Sequence, residues 1–206
     1  LNDDNGVDSG HVRIFRNYED EWIQVGNTLV GEGSNDQSGK AISLSDDGSV
    51  VAIGAIYNDG DGTDRGHVRI YQNVDGTWTK IGDDIKGAIS GDHLGNSVSL
   101  SSDGSIIAIG AVQNDENINS HGYVSIYKNL NNKWSQIGDD IEGTSKGDLS
   151  GFSVTLSNDG SIVAIGSPNN DDNGEDSGHV RVFQIDLDKT PPSIFGPSPE
   201  VGSAIG

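Results

Sequence analysis

The sequence predicts an all-β fold: a β-propeller built from 56-residue, four-stranded antiparallel blades. Three observations carry that prediction. First, landmark residues recur at a constant step of 56, in five ladders: Gly10, Gly66, Gly122 and Gly178; Trp22, Trp78 and Trp134; Gly26, Gly82 and Gly138; Gly48, Gly104 and Gly160; Gly54, Gly110 and Gly166. A period without insertions marks one supersecondary unit that is copied and must stack on its neighbours to bury an apolar face. Second, the runs within each copy either alternate polar and apolar residues or are wholly apolar, as half-buried and fully buried strands require. Third, turn residues punctuate those runs, and Gly fills 30 of 206 positions.

The copy from Gly95 to Leu149 shows each element in order. Asn96-Ser97-Val98-Ser99-Leu100-Ser101 alternates, which predicts a strand with one buried face. Ser102-Asp103-Gly104-Ser105 reads as a tight turn, its Gly supplying positive φ. Ile106 to Ala111 is almost entirely apolar and predicts a strand buried on both sides. A polar loop from Gln113 to His121 leads to the alternating run Tyr123-Val124-Ser125-Ile126-Tyr127. Asn129 to Asn132 turns the chain into Trp134-Ser135-Gln136-Ile137, the fourth strand, and Gly138-Asp139-Asp140-Ile141 closes the copy. Four antiparallel strands in about fifty residues is the plan of a propeller blade. A parallel β-helix has much shorter coils, and a β-sandwich has no reason to repeat so strictly.

By this reading residues 1–185 are propeller repeats, roughly 3.5 blades: a partial blade over 10–30, full blades over about 39–86 and 95–142, and a partial blade over 151–185. Because propellers use four or more blades, either further blades or self-association of copies through unpaired edge strands is expected. Residues 186–206 break the pattern. Four of the five prolines lie between Pro191 and Pro199, which predicts a linker into another module. Met is absent and Leu1 already lies inside a repeat, so the chain reads as a segment of a longer protein.

The formal net charge is -20, from 32 acidic and 12 basic residues. Such a field repels a phosphate backbone, so neither nucleic acid nor an anionic membrane is an expected partner. No apolar run approaches 18 residues, which argues against membrane insertion. With no cysteine there is no disulfide or thiolate chemistry, and an extracellular or cell-surface location fits. Divalent cations are the natural counter-charge, although an acidic surface also serves solubility alone.

Acidic loops recur at one point of the repeat: Asp3, Asn5 and Asp8; Asp59, Asp61 and Asp64; Asp171, Asn173 and Asp176. Oxygen ligands at alternating positions around a Gly could hold a calcium ion (Ca2+), so these nine residues are the candidate metal ligands. In the third copy the set degrades to Asp115, Asn117 and Ser120. Against calcium stand two facts: no bidentate Glu closes the loop, and Asn, Asp and Gly are ordinary turn residues.

An active site is one place, so catalytic residues should break the repeat. Glu32, Tyr57, Arg65, His93, His121 and Lys146 do so. His11, His67 and His179 share one repeat position and read as structural, while Arg13, Arg69 and Arg181 read as lining a solvated face. Asp92 and His93 are the one adjacent acid–base pair. No Ser-His-Asp set, histidine metal cluster or phosphate-cradling glycine loop is present, so catalytic residues are expected to be none.

Three positions of the copy then resemble a known pattern. Leu94-Gly95-Asn96-Ser97-Val98, Ile109-Gly110-Ala111-Val112 and Gly122-Tyr123-Val124-Ser125-Ile126-Tyr127 are similar to the FG-GAP repeat of integrin-α-like propellers. Gly151-Phe152-Ser153-Val154, Gly166-Ser167-Pro168 and Gly178-His179-Val180-Arg181-Val182-Phe183 agree in register. The resemblance implies an extracellular propeller used in adhesion or ligand binding, commonly with structural calcium. The family's calcium loop does not carry over, because Asp46-Asp47-Gly48, Ser102-Asp103-Gly104 and Asn158-Asp159-Gly160 stand in its place as short turns. Asp188-Lys189-Thr190-Pro191-Pro192-Ser193-Ile194 resembles the lead-in to immunoglobulin-like domains of bacterial surface proteins. The resulting expectation is a non-catalytic adhesion module of a larger surface protein, binding a protein or glycan ligand on a cell surface or matrix. The alternatives are part of a polysaccharide-acting propeller enzyme and a self-assembling spacer.

Overall fold

The computed structural model describes residues 3–112 and 121–188. Every regular element among them is a β-strand, in four successive units. The first unit holds β1 (His11–Val12), β2 (Phe15–Tyr18), β3 (Glu21–Gln24) and β4 (Leu29–Val30), with β2 on β3 and β1 on β4. The second runs β5 (Ala41–Leu44), β6 (Val50–Ala55), β7 (His67–Val74), β8 (Thr77–Lys80) and β9 (Ile85–Lys86). The third repeats it as β10 (Leu94–Leu100), β11 (Ile106–Ala111), β12 (Tyr123–Leu130), β13 (Lys133–Gln136) and β14 (Ile141–Glu142). The fourth contains β15 (Ser153–Leu156), β16 (Ile162–Ser167) and β17 (His179–Gln184).

Each full sheet is an antiparallel meander, β5-β6-β7-β8 and β10-β11-β12-β13, as the alternating runs predict. The wholly apolar strands β6 and β11 are buried at every residue. Their hairpins close through the short Asp-Gly turns. Gly104 N–H donates to Ser101 O at 2.9 Å, and Asp103 accepts from Ser101 and Ser105. A detail absent from the four-strand reading is a fifth short strand that folds back on the third: β9 pairs β7, and β14 pairs β12. This return lays Asp84 and Asp140 over the beginning of β7 and β12.

The apolar clusters bridge neighbouring units. Val68, Ile70 and Ile81 of the second unit pack with Leu94, Val98, Ile107 and Ile109 of the third. Ile106, Val124, Ile126 and Ile137 of the third pack with Val163, Ile165 and Phe183 of the fourth. The Trp ladder is part of the same bridging. Trp134 donates its indole N–H to Ile81 O at 3.0 Å and lies across Gly82, where a Cβ would fall 2.8 Å from the ring. Gly82 also has φ +74, so geometry and space both demand glycine there. Trp78 sits the same way on Gly26 and is 4% exposed, whereas Trp22, with no such seat among the described residues, is 71% exposed. Backbones also meet between units: a Cβ on Gly110 would lie 2.1 Å from Gly151 O. Stacking without insertion therefore requires the strict period.

The degraded loop (Asp115, Asn117, Ser120) and the proline-rich stretch from 189 onward lie outside the described residues. Leu187 packs, partly buried, against the third–fourth unit core.

Candidate functional site

Titratable groups gather where one unit's loop crosses the start of the next unit's third strand. A buried aspartate anchors each crossing. Asp36 accepts Gly33 N–H and the Asn58 amide, both at 2.9 Å. Asp92 accepts Ile89 N–H and the Tyr123 hydroxyl, again at 2.9 Å. Asp148 accepts Ser145 N–H, the Thr144 hydroxyl and the Asn170 amide. All three are buried, and burial alone would raise a carboxyl pKa. At Asp148 the burial is outweighed by those hydrogen bonds, and its pKa lies below the ordinary aspartate value. These residues also step by 56, so the period that exposed the glycines was the signal for them. In the sequence Asp92 alone stands out, beside His93; Asp36 and Asp148 are inconspicuous because they sit in polar loops.

The first crossing gathers Glu32 with His67, Arg69, Lys80 and Asp84. Arg69, on β7, pairs with Glu32 and reaches Asp84 at 3.3 Å, while Lys80 holds Asp84 at 2.7 Å. Burial would raise the Asp84 pKa, but the Lys80 hydrogen bond and the two cationic charges bring it below the ordinary value. His67 is 3% exposed and its Nδ1 has no hydrogen-bond partner. Burial pushes its imidazole pKa down against the nearby Asp84 and Asp36 charges, so the ring is neutral. Arg69 thus leaves the solvated face expected for it. Alternation within one strand does not reveal a carboxylate arriving from the preceding unit.

The second crossing is open. A cavity of about 250 Å³ is lined by Ala88, Asp92, His121, Tyr123, Asp140 and Glu142, among others. Burial, reinforced by Asp92, holds the Tyr123 hydroxyl far above the ordinary phenol range, so it remains a donor. Asp140 accepts from the Ser125 hydroxyl and, at 2.7 Å, from the Gln136 amide. Among the described residues neither Asp140 nor Glu142 forms a salt bridge.

The expected calcium loops are ordered by their own backbone. Asp3 accepts Asp8 N–H, Asp59 accepts Asp64 N–H and Asp171 accepts Asp176 N–H, at 2.8, 3.1 and 2.7 Å. Asp8, Asp64 and Asp176 all take positive φ there. Asp61 pairs with Lys86 at 3.3 Å, and Asn5 donates to Gly31 O. Asn173 is exposed. Among the described residues, the one group of three His or carboxylate side chains close enough to share an ion is Glu32, His67 and Asp84.

The residues that break the repeat scatter. Glu32 and His121 enter the two crossings. Arg65 caps Gly87 O and Ala88 O, and His93 meets Tyr57 edge-on at 5.1 Å. Asp92 and His93 therefore face different neighbours and are not an acid–base pair.

Solved structures place this architecture among known folds. A protein of Bacteroides uniformis, provisionally named a 6-phosphogluconolactonase, has a TM-score of 0.57 at 11% identity, covering 90% of this chain and 47% of its own. The periplasmic gluconolactonase of Pseudomonas aeruginosa gives 0.54 at 16% identity, covering 91% and 51%. The chain spans about half the length of these proteins, and likeness at such identity shows the fold alone. It nonetheless corrects the expectation of a non-catalytic adhesion module without enzyme activity, since the proteins sharing this fold are named as lactonases. No curated protein matches the chain. Residues 142–183 match the FG-GAP repeat, consistent with the FG-GAP-like repeat protein that the sequence resembles.

Proposed function

We propose that the four units are consecutive blades of a propeller enzyme that opens the ring of a neutral sugar lactone in the cavity of the second crossing. The observation that carries this reading is that cavity, a small concave site with convergent polar groups. The lactonase names of the structures that share the fold support it. His121 acts as general base and takes a proton from water, which attacks the lactone carbonyl. The acyl–oxygen bond breaks, the ring oxygen leaves as a hydroxyl with that proton, and the product is an aldonic acid. Asp140 and Glu142 accept hydrogen bonds from sugar hydroxyls. Tyr123, held protonated, fixes the floor with Asp92. Three carboxylates around the cavity and a net charge of -20 disfavour a phosphorylated substrate.

The test is acid release from gluconolactone and from its 6-phospho form, followed by pH-stat. The expected result is turnover of the neutral lactone above the buffer rate, discrimination against the phosphorylated one, and loss of turnover in folded His121→Asn. Buffer-rate hydrolysis of both substrates contradicts the reading.

A further inference from the structure

We infer that this chain forms a closed dimer by strand exchange, the first unit of each copy completing the fourth unit of the other. Neither unit is whole among the described residues: the fourth has β15, β16 and β17 but no fourth strand, and the first has only third- and fourth-strand segments. The two units share a stretch of sequence. Residues 3–16 and 171–184 lie three periods apart and agree at 11 of 14 positions, whereas each agrees with 59–72 at 8. The first-unit stretch therefore fits the slot held by β17 almost side chain for side chain, with Val12 for Val180, Arg13 for Arg181 and Phe15 for Phe183. It also does what β17 does not. Asn73 and Asn129 accept the N–H groups that turn the third strand into the fourth. The first unit keeps Asn17 at that position and continues into β3, but the fourth unit has Ile185.

The bare surfaces of the two units match. Trp78 and Trp134 sit on Gly26 and Gly82 of the unit before, but no tryptophan sits on the next glycine of that ladder, Gly138 (φ +68), because position 190 is Thr. Trp22 is the tryptophan without a seat, and Gly138 is the seat without a tryptophan. Phe15 is 42% exposed, while its counterpart Phe183, packed on the third unit, is 5% exposed. Exchange lays Phe15 and Trp22 of one copy on the third unit of the other. On the opposite face Val180 is 68% exposed, against 0% for Val124. Its replacement, Val12, arrives already covered by its own second unit. Swapping like elements between copies costs little, and the gain is this apolar burial. Each copy then contributes two full blades and half of each of the two exchanged ones. Propellers have about 4 to 8 blades, so two copies close a ring of about six and three copies overshoot. The inference does not depend on the lactone reading.

The experiment is sedimentation equilibrium on the full chain, refolded from urea at several protein concentrations so that strands are free to exchange. The expected mass is twice 21.6 kDa. Trp22→Ala, at a position exposed in the unexchanged chain, should weaken dimerisation at least about tenfold, as truncating a buried interface tryptophan does. A second variant tests the register. Ile162 pairs with Gln184, so exchange sets Ile162 opposite Arg16 of the other copy. The chain has no cysteine, so Arg16→Cys combined with Ile162→Cys should be joined into a covalent dimer by a short bis-maleimide, and neither single variant should be. A wild type that stays monomeric overturns the inference, and leaves further repeats of a longer chain as the cover for these faces. So does a dimer that Trp22→Ala leaves unchanged, or one that the paired cysteines fail to cross-link.

Discussion

The first and second crossings occupy the same place in successive repeats, yet their charges are opposite. Around the first stand Arg65, Arg69, Lys80 and Lys86; one period later the same positions hold His121, Ser125, Gln136 and Glu142. Asp84 and Asp140 correspond, as do Asp36 and Asp92, so the carboxylates persist while the cations are exchanged. Glu32 becomes Ala88, and His67 becomes Tyr123. The first crossing is consequently filled and ion-paired, and the second is an acidic cavity of about 250 Å³. The scaffold tolerates this exchange: of the exchanged residues Tyr123 packs against the bridging apolar cluster, whose buried members lie elsewhere. A repeat protein can therefore vary the chemistry of one inter-unit gap while the strand pattern stays constant.

The largest effect that separates the two gaps lies at the buried aspartates. Asp92→Ala strands the Tyr123 hydroxyl and Ile89 N–H, and two part-buried donors without their acceptor cost roughly 2 kcal/mol together. Adding Tyr123→Phe should recover about 1 kcal/mol of that, because the stranded hydroxyl is gone. The matching cycle of Asp36→Ala with His67→Phe should show little coupling, since Asp36 bonds Asn58 and Gly33 instead. Urea denaturation of both cycles checks this; equal couplings would erase the distinction.

The next effect is in pH. The native Tyr123 hydroxyl titrates above its unfolded value of about 10, so native protein holds a proton that unfolded protein loses. The stability it contributes is complete below pH ~10 and is lost as pH rises beyond that. Tyr123→His should remove this alkaline loss. Asp148 behaves oppositely: its lowered native pKa gives stability that is present above the unfolded value near 4 and lost as pH falls through the native one. Asn170→Ala, which removes a hydrogen bond to that carboxylate, should shrink the acid limb. Thermal unfolding across the pH range reads both.

The smallest effect concerns the acidic loops, which lie outside both gaps. Asp3, Asp59 and Asp171 already accept their own loop N–H groups, and Asp61 pairs with Lys86. The melting temperature should be the same in calcium and in EDTA. A calcium-specific rise would make the loops metal sites, by mass action.

Much of the fold was legible because its signals are local. The alternation of Val98 and Leu100, the apolar run Ile106–Ala111 and the turn at Gly104 each act within a few residues. The site was less legible because it is assembled between copies. Arg69 alternates with buried Val68 and Ile70 and so looks solvated, until Glu32 arrives from the preceding unit. Ala88 is unremarkable in sequence; its effect appears only when position 88 is seen to face Tyr123 and Asp140. The fold-back of β9 and β14 is two residues long in each case, too short for any periodic pattern, yet it delivers Asp84 and Asp140. Repeat position carried this information more faithfully than hydropathy did, because residues one period apart meet corresponding partners.

The most direct test of the central claim is to give the second gap the side chain of the first. Ala88→Glu places a carboxylate in the cavity at the position that Glu32 holds one repeat earlier. The account predicts that lactone turnover disappears while the melting temperature changes little, because position 88 is exposed and outside the apolar clusters. Full turnover in a folded Ala88→Glu protein would contradict it, and would mean that the cavity is not where the chemistry occurs.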